Sequence, residues 1–284
     1  MHWTPRREQF RAQLAKNECV YPASVFDPVS TRMAEDIGFE MGMFAGSIAS
    51  LTVLGAPDLI VLNQAEFAGQ AYRICRAGNL PLIVDADHGY GNALNVRRTV
   101  EELETAGVAA LTIEDTLLPK RHGATSTEFI SKEEGVGKMR AALDARQDPS
   151  LVIAGRTSAI KQNGLEDTIA RLTAYEDAGV DMLMVVGVQQ RSDLEAIAAS
   201  VNIPIMLGGL ASEMMHLDYL GGLGVRICLQ GHQPFMAAMQ AVYSTLKDLR
   251  SGVNPADLSG LPGKSTKSIA MREADYQRWM SEYL

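Results

Sequence analysis

The sequence predicts an α/β protein, a (β/α)8 TIM barrel with an extra N-terminal helix and a C-terminal helical extension. Eight short runs of apolar and β-branched residues recur along the chain, and a segment with helical periodicity follows each of them. No glycine-rich dinucleotide fingerprint follows the first run, which favours a closed barrel over an open doubly wound sheet. The chain has 284 residues, 46% of them hydrophobic, and a barrel of this kind uses roughly 250 residues as one domain.

The predicted strands are continuous apolar runs, which is typical of parallel strands buried on both faces. In chain order they are residues 20–26, 39–47, 80–87, 108–115, 150–157, 180–188, 203–209 and 225–231. Several of the helical segments end in AG or DAG just before the next strand, and a glycine in that position turns the chain back towards the sheet. The alternation therefore predicts parallel strands joined by right-handed helical crossovers.

Both ends of the chain carry helical segments outside the eight repeats. Residues 1–18 are charged and helix-like, and we assign residues 1–250 to the catalytic barrel. Residues 251–268 are rich in glycine, proline and serine and predict a linker to a last short helix. One apolar stripe of that helix consists of Tyr276, Trp279, Met280 and Tyr283. A stripe indicates burial but not the partner, so the extension 251–284 is expected to pack on the barrel or on a neighbouring subunit.

Charge and composition exclude several classes of protein. The chain has 26 basic and 34 acidic residues, a formal net charge of -8, which argues against nucleic acid and membrane partners. No apolar run reaches the roughly 18 residues that span a bilayer. Cys19, Cys75 and Cys228 are odd in number and far apart, as expected of buried thiols in a cytoplasmic protein rather than of a disulfide framework or a zinc site.

Acidic residues follow neighbouring strands at the end where such a barrel carries its active site. Asp85 and Asp87 end the third strand on one face, because side chains alternate along a strand. Glu114 ends the fourth strand, and Asp58 lies in the loop after the second. Clustered carboxylates repel one another unless a cation neutralises them, and oxygen ligands without a His or Cys cluster are typical of Mg²⁺. A single acid would more often cap a helix or pair with an arginine, but three at adjacent strand ends favour a Mg²⁺ site, in which Mn²⁺ can substitute.

Three further residues at strand ends predict substrate contacts. Arg156 ends the fifth strand and can hold a carboxylate in a bidentate fork, although it could instead form a structural salt bridge. Ser47 lies in FAGSIAS after the second strand, where backbone amides can hold an anion or form a plain tight turn. His232 follows the eighth strand and can supply a hydrogen bond or a proton, although a lone histidine is more often structural. Arg156 and His232 are the catalytic candidates, and His88 and His122 have a weaker context.

Several strings of this chain resemble the phosphoenolpyruvate mutase/isocitrate lyase superfamily. They are SVFDPVSTRMAEDIGFE, GSIAS, DADHGYGN, TIEDTLLPKRHG, GRTSA and YEDAGVDMLMVVGV. The resemblance implies a (β/α)8 barrel and a homotetramer whose subunits exchange the last barrel helix. It implies Mg²⁺ bound directly by Asp85, with water-mediated contacts from Asp87, Glu114 and Asp58. It also implies a dicarboxylate substrate contacted by Ser47, Arg156 and His232.

The loop after the fourth strand distinguishes the activities within this superfamily. Its lyases carry a Lys-Lys/Arg-Cys-Gly-His sequence there, whereas this chain has Lys120-Arg121-His122-Gly123-Ala124, without cysteine. The mutase and phosphonopyruvate hydrolase branches have an asparagine where this chain has His122. The strings ADHGYGNALNV and IEDTLLP and the strand-eight GH resemble the oxaloacetate decarboxylase branch most, although Gly208-Gly209 stands where that branch has a tyrosine.

We therefore expect a carboxy-lyase that converts oxaloacetate, or a close 2-oxo diacid, to pyruvate and CO2 through an enolate. One alternative is a C–C lyase or phosphonate-type enzyme of the same superfamily that acts on another 2-oxo or 2-hydroxy diacid. Another is a non-catalytic sensor that binds Mg²⁺ and a dicarboxylate. Residues 116–134 have the length and composition of a lid that excludes water, or they form an ordinary loop.

Overall fold

The computed structural model describes residues 2–284 and contains the eight predicted strands. They are β1 (Ala23–Ser24), β2 (Gly42–Phe44), β3 (Leu82–Asp85), β4 (Ala110–Glu114), β5 (Val152–Thr157), β6 (Met182–Val186), β7 (Ile205–Gly208) and β8 (Val225–Cys228). Neighbouring strands pair in parallel and in chain order. Val20, just before β1, pairs in parallel with Ile227 of β8. This pairing closes the sheet and confirms the predicted (β/α)8 barrel.

Twelve α-helices lie among the described residues. They are α1 (Thr4–Leu14), α2 (Pro28–Ile37), α3 (Gly46–Ala49), α4 (Gln64–Cys75), α5 (Ala93–Ala106), α6 (Lys132–Ala145), α7 (Leu165–Ala178), α8 (Arg191–Ser200), α9 (Leu217–Gly222), α10 (Gln233–Arg250), α11 (Lys264–Met271) and α12 (Glu273–Tyr283). The N-terminal helix and the last helix were predicted. Helix α3, which continues into a π-helical turn at Ser50–Leu54, was not predicted, and α11 begins inside the stretch predicted as a linker.

The crossover helices begin and end at the residues that favour those positions. Asp27, Asn63 and Asn92 each form a capping box with the third residue of the helix that follows. Gly107 and Gly179 end α5 and α7 in the left-handed conformation, with φ of 96° and 98°, which glycine adopts without a steric penalty. These caps account for the short returns to the sheet that the AG and DAG strings predicted.

Helix α1 packs at the end of the barrel opposite the active-site end. Its Arg7 is fully buried and donates to the carbonyl oxygens of Val108 at 2.9 Å and Glu104 at 2.6 Å, and to Asp148 Oδ2 at 2.7 Å. These partners precede β4 and β5 in the chain. A single buried guanidinium therefore joins the N-terminal helix to the bottom of the barrel, because its fork can reach several acceptors at once.

The C-terminal part of the chain contacts the barrel sparingly. All eighteen residues of α10 are described, and none of them is buried. Helix α11 packs against α2, where Arg32 Nη1 donates to the Ala270 carbonyl at 2.7 Å. Among residues 2–284, no helix has the length and apolar character needed to cross a membrane.

Candidate active site

The register of the sheet brings three of the predicted site residues together. Glu114 on β4 lies directly beside Arg156 on β5, and Asp85 on β3 lies beside Thr112 on β4. In a parallel sheet all of these positions face the same end of the barrel. The predicted placement of acids and arginine at one rim is therefore observed.

Arg156 links two of the acids. Its Nη1 donates to Asp85 Oδ2, and its Nη2 lies 3.2 Å from Glu114 Oε2. Burial alone would lower the pKa of Arg156, but the adjacent Asp85 and Glu114 carboxylates raise it above its ordinary value. The guanidinium is therefore a permanent positive charge at the barrel mouth, and the salt bridge that the sequence left as an alternative is present.

Asp87 lies beyond the end of β3 in an unusual backbone conformation. Its φ is 49°, a region in which Asp and Asn are enriched among non-glycine residues. Its amide donates to Asp85 Oδ1 at 3.2 Å, and its carbonyl accepts from the Glu114 amide at 2.8 Å. A Cβ atom at Gly46 would lie 2.7 Å from both carboxylate oxygens of Asp87. Asp87 therefore sits against the backbone that carries Ser47, the next residue of α3.

The acids repel one another in this buried setting. Burial, followed by the charges of Asp85 and Asp58, raises the pKa of Asp87 well above its ordinary value. Burial also raises the pKa of Glu114, which Arg156 partly offsets. Asp58 is an exposed residue at the mouth, but its carboxylate is partly buried. This burial, and then the charge of Asp85, raises the pKa of Asp58. Four carboxylates thus share one guanidinium, an arrangement that a further cation would stabilise.

The donor set fits a hard divalent cation. No group of three or more His, Cys, Asp or Glu side chains within residues 2–284 is arranged to hold a metal ion by itself. Mg²⁺ is usually held by only one or two carboxylates and otherwise by water and substrate oxygens. Two buried polar atoms beside the acids, Arg156 Nε and Tyr90 Oη, have no hydrogen-bond partner among the described residues. Hydrated metal would supply such partners, so these residues fit the group.

His232 is held from the opposite side of the barrel mouth. Its Nδ1 lies 2.9 Å from the hydroxyl of Ser24, at the end of β1. Burial lowers the pKa of His232, and Asp85 raises it to a lesser degree. The imidazole is therefore neutral near pH 7, and Nε2 is the ring nitrogen left for another partner.

The structure separates the other singled-out histidines from this cluster. His88 is buried, and burial followed by the Lys138 charge lowers its pKa to about 4. Lys138 Nζ donates to its backbone carbonyl at 2.8 Å. His122 lies exposed in the loop after β4. Neither histidine contributes a contact to the acids.

Sequence reasoning missed three residues that complete the site. Thr112 Oγ1 donates to Asp85 Oδ1 at 3.2 Å, Ser24 contacts His232, and Tyr90 lies close enough to Asp87 for that carboxylate to raise its pKa, after the larger effect of burial. Thr112 could have been found, because it lies two residues before Glu114 on the same strand face. Ser24 is 208 residues from His232 in the chain, and no local pattern signals that contact.

Comparisons with known proteins identify relatives in sequence and in fold. The family model described as phosphoenolpyruvate phosphomutase matches residues 10–250. A protein named oxaloacetate decarboxylase from Bradyrhizobium sp. (strain ORS 278) is 55% identical over 279 residues, covering 98% of this chain and 97% of the relative. A solved oxaloacetate acetylhydrolase in complex with the inhibitor 3,3-difluorooxalacetate has a TM-score of 0.86 at 25% identity, covering 98% of this chain and 97% of that one.

A second solved structure carries ligands of the expected chemistry. It is a phosphonopyruvate hydrolase in complex with oxalate and Mg²⁺, with a TM-score of 0.85 at 25% identity, covering 98% of this chain and 99% of that one. The likeness in sequence and in fold extends over nearly the whole chain. This protein belongs to the phosphoenolpyruvate phosphomutase family.

Proposed function

We propose that this protein is a metal-dependent carboxy-lyase that decarboxylates oxaloacetate, or a close 2-oxo diacid, to pyruvate and CO2. The observation that carries the proposal is the cluster of Asp85, Glu114 and Arg156 at the barrel mouth, in a chain 55% identical to a protein named oxaloacetate decarboxylase. The cluster offers both a cation site and a fixed guanidinium for a substrate carboxylate.

We propose Mg²⁺ as the metal, with Mn²⁺ as a substitute. Asp85 would hold it directly, and Asp87, Glu114 and Asp58 would do so through water. The oxalate and Mg²⁺ in the related phosphonopyruvate hydrolase support this assignment. When bound, the ion would supply a Lewis acid that polarises the 2-oxo group.

The residues of this chain would orient the substrate for loss of CO2 and for protonation of the resulting enolate. Arg156 and Ser47 would hold the C1 carboxylate so that the C3–C4 bond stands perpendicular to the carbonyl plane. As that bond breaks, CO2 leaves, and its electron pair passes into the C2–C3 enolate, which then takes a proton at C3. His232 would contact the substrate through Nε2, since Ser24 occupies Nδ1.

The decisive test is pyruvate formation from oxaloacetate with and without Mg²⁺. The protein with Mg²⁺ is expected to form pyruvate faster than free Mg²⁺ does. The Asp85→Ala variant is expected to lose at least about 10²-fold in activity. Asp144→Ala, which removes an exposed carboxylate on α6, is the matched control and should leave the rate unchanged. Acetate and oxalate measured in the same samples would instead indicate the hydrolytic reaction named for one structural neighbour. Dicarboxylate binding without turnover would identify a sensor.

We further propose that the protein assembles as a homotetramer through an exchange of α10. Six apolar side chains of this helix are exposed, namely Met236, Met239, Val242, Tyr243, Leu246 and Leu249. An apolar cavity of about 560 Å³ lies between α2 and the start of α10 and is lined by Phe26, Met33, Ile37 and Phe39 among others. Contiguous exposed apolar faces mark interaction sites. We propose that α10 of a second copy covers the cavity beside α2.

The same reasoning applies to α12 of the extension 251–284, which we propose to pack on a neighbouring subunit, whereas α11 packs on α2 of its own barrel. The α12 stripe residues Tyr276, Met280 and Tyr283 are 56%, 51% and 74% exposed.

A cytoplasmic location is also proposed. It is supported by three cysteines that are free and buried, Cys19, Cys75 and Cys228.

A further inference from the structure

A second group of charged side chains lies directly behind Glu114. Asp115, the next residue, is fully buried, and its Oδ2 accepts from Arg171 Nη1 at 3.1 Å and from Tyr175 Oη at 2.7 Å. Arg171 and Tyr175 both belong to α7. A buried ion pair is often no more stabilising than apolar residues of the same volume. A contribution to overall stability therefore does not explain why this ion pair lies at this position.

The chain on either side of Asp115 forms the stem of the loop after β4. Thr116 pairs in antiparallel fashion with Phe129. The Leu117 amide donates to the Glu128 carbonyl at 2.8 Å, and the Ile130 amide donates to the Asp115 carbonyl at 3.0 Å. Residues 115–117 and 128–130 therefore form a short two-stranded stem. The segment between them, 118–127, includes the exposed Lys120 and Arg121.

Arg171 contacts both strands of this stem with one side chain. On the incoming strand its Nη1 bonds Asp115, and on the outgoing strand the same nitrogen donates to the Ile130 carbonyl at 3.0 Å. The guanidinium carbon lies 5.6 Å from the centre of the Phe129 ring, within the range of a cation–π interaction. Its Nε donates to Asp167 Oδ2 at 2.8 Å, which fixes the guanidinium on α7. A planar guanidinium can make all of these contacts together, whereas an ammonium cannot.

We propose that Arg171 is a positioning residue that fastens both ends of the loop 118–127 to the barrel, so that the stem of the loop and Glu114 keep a fixed position relative to the active-site mouth. The proposal rests on the proposed function for its consequence in catalysis, but not for its structural content. Motion of the loop would then be confined to 118–127, with the stem as its fixed base.

Hydrogen exchange of the metal-free, substrate-free chain tests this directly. In Arg171→Lys the stem amides of Leu117 and Ile130 are expected to exchange about tenfold faster than in the unchanged protein, because their local opening becomes easier. The peptide covering 115–131, followed by mass spectrometry, gives the measurement. The measurement needs no turnover, so failure of the decarboxylase assay would leave it intact.

The matched control is Arg7→Lys, which also alters a buried arginine with a carboxylate and carbonyl partners, at the far end of the barrel. It is expected to lower the melting temperature without changing exchange in the peptide 115–131. Equal exchange in the two variants would overturn the proposal, because Arg171 would then be a purely structural residue.

Phe129→Leu provides a second variant if Arg171→Lys folds poorly. It removes the ring beneath the guanidinium and keeps the ion pair, so exchange at the stem is expected to rise about threefold, in line with a weak cation–π contact. In an active preparation, Arg171→Lys is also expected to lower kcat/KM about tenfold while Arg7→Lys does not. No change in stem exchange in Phe129→Leu or in Arg171→Lys would contradict the proposal.

Discussion

At the scale of one residue, Asp87 shows that the site contains an unfavourable repulsion between carboxylates. The residue is only 9% exposed, and its carboxylate stands near Asp85 and Asp58 and has a raised pKa. A carboxyl with a raised pKa in the folded state ionises first in the unfolded chain as the pH rises. Its ionisation therefore destabilises the fold progressively above the unfolded pKa of about 3.9, and fully above the folded pKa. Functional sites commonly keep such costs because the ligand offsets them.

We expect Asp87→Asn to stabilise the metal-free protein at pH 7.5, by roughly 1.4 kcal/mol for each unit by which the pKa is raised. Asparagine is nearly isosteric and tolerates the left-handed conformation. The gain should shrink as the pH falls towards 4, because the carboxyl then becomes increasingly protonated in the unfolded chain as well. Urea unfolding in EDTA between pH 4 and 8 measures it, and Asp144→Asn, on an exposed carboxylate, is the control. A loss of stability at pH 7.5 would contradict the expected repulsion.

At the scale of elements, the strands were predictable because each is buried on both faces and therefore has a continuous run of apolar residues in the sequence. Helix α3 and its π-helical turn were not, since nine residues are too few for a periodic pattern. The site was predictable as a set of strand ends, yet the pairing of Glu114 with Arg156 depends on sheet register, which sequence leaves open. The alternation rule put Asp87 on the face of Asp85, whereas the chain has already left β3 there and turned at a φ of 49°.

The contact between α3 and the loop after β3 gives a prediction for that pair of elements. In Gly46→Ala the new methyl group would meet both Asp87 oxygens at 2.7 Å and displace the carboxylate. Activity is therefore expected to fall about tenfold or more, with little change in melting temperature. Gly69→Ala on α4 is the matched control, since a Cβ there meets nothing within 4 Å, and it should add about 0.5–1 kcal/mol of stability. Equal activity of the two variants in the pyruvate assay would show that Asp87 tolerates the displacement.

At the scale of the whole molecule, one chain leaves most of the apolar face of its last barrel helix uncovered, since only Phe235 at its start packs on a barrel residue, Phe26. The seven preceding crossovers cover the barrel, but α10 has no buried residue, and the apolar cavity beside α2 lies where a closing helix would pack. A helix with an apolar face owes most of its stability to packing on that face. The missing partner is supplied if two copies exchange α10, each covering the cavity of the other.

Leu246→Glu is accordingly expected to dissociate the assembly, because each buried leucine contributes about 1.5–3 kcal/mol and a carboxylate buried there would be unpaired. Ala241→Glu adds the same charge on the opposite, exposed side of α10 and should leave the assembly intact. Light scattering coupled to size-exclusion chromatography measures the mass, which should fall from a multiple of 30.8 kDa towards 30.8 kDa only in Leu246→Glu. A wild-type chain that elutes at 30.8 kDa would show instead that α10 stays uncovered in solution.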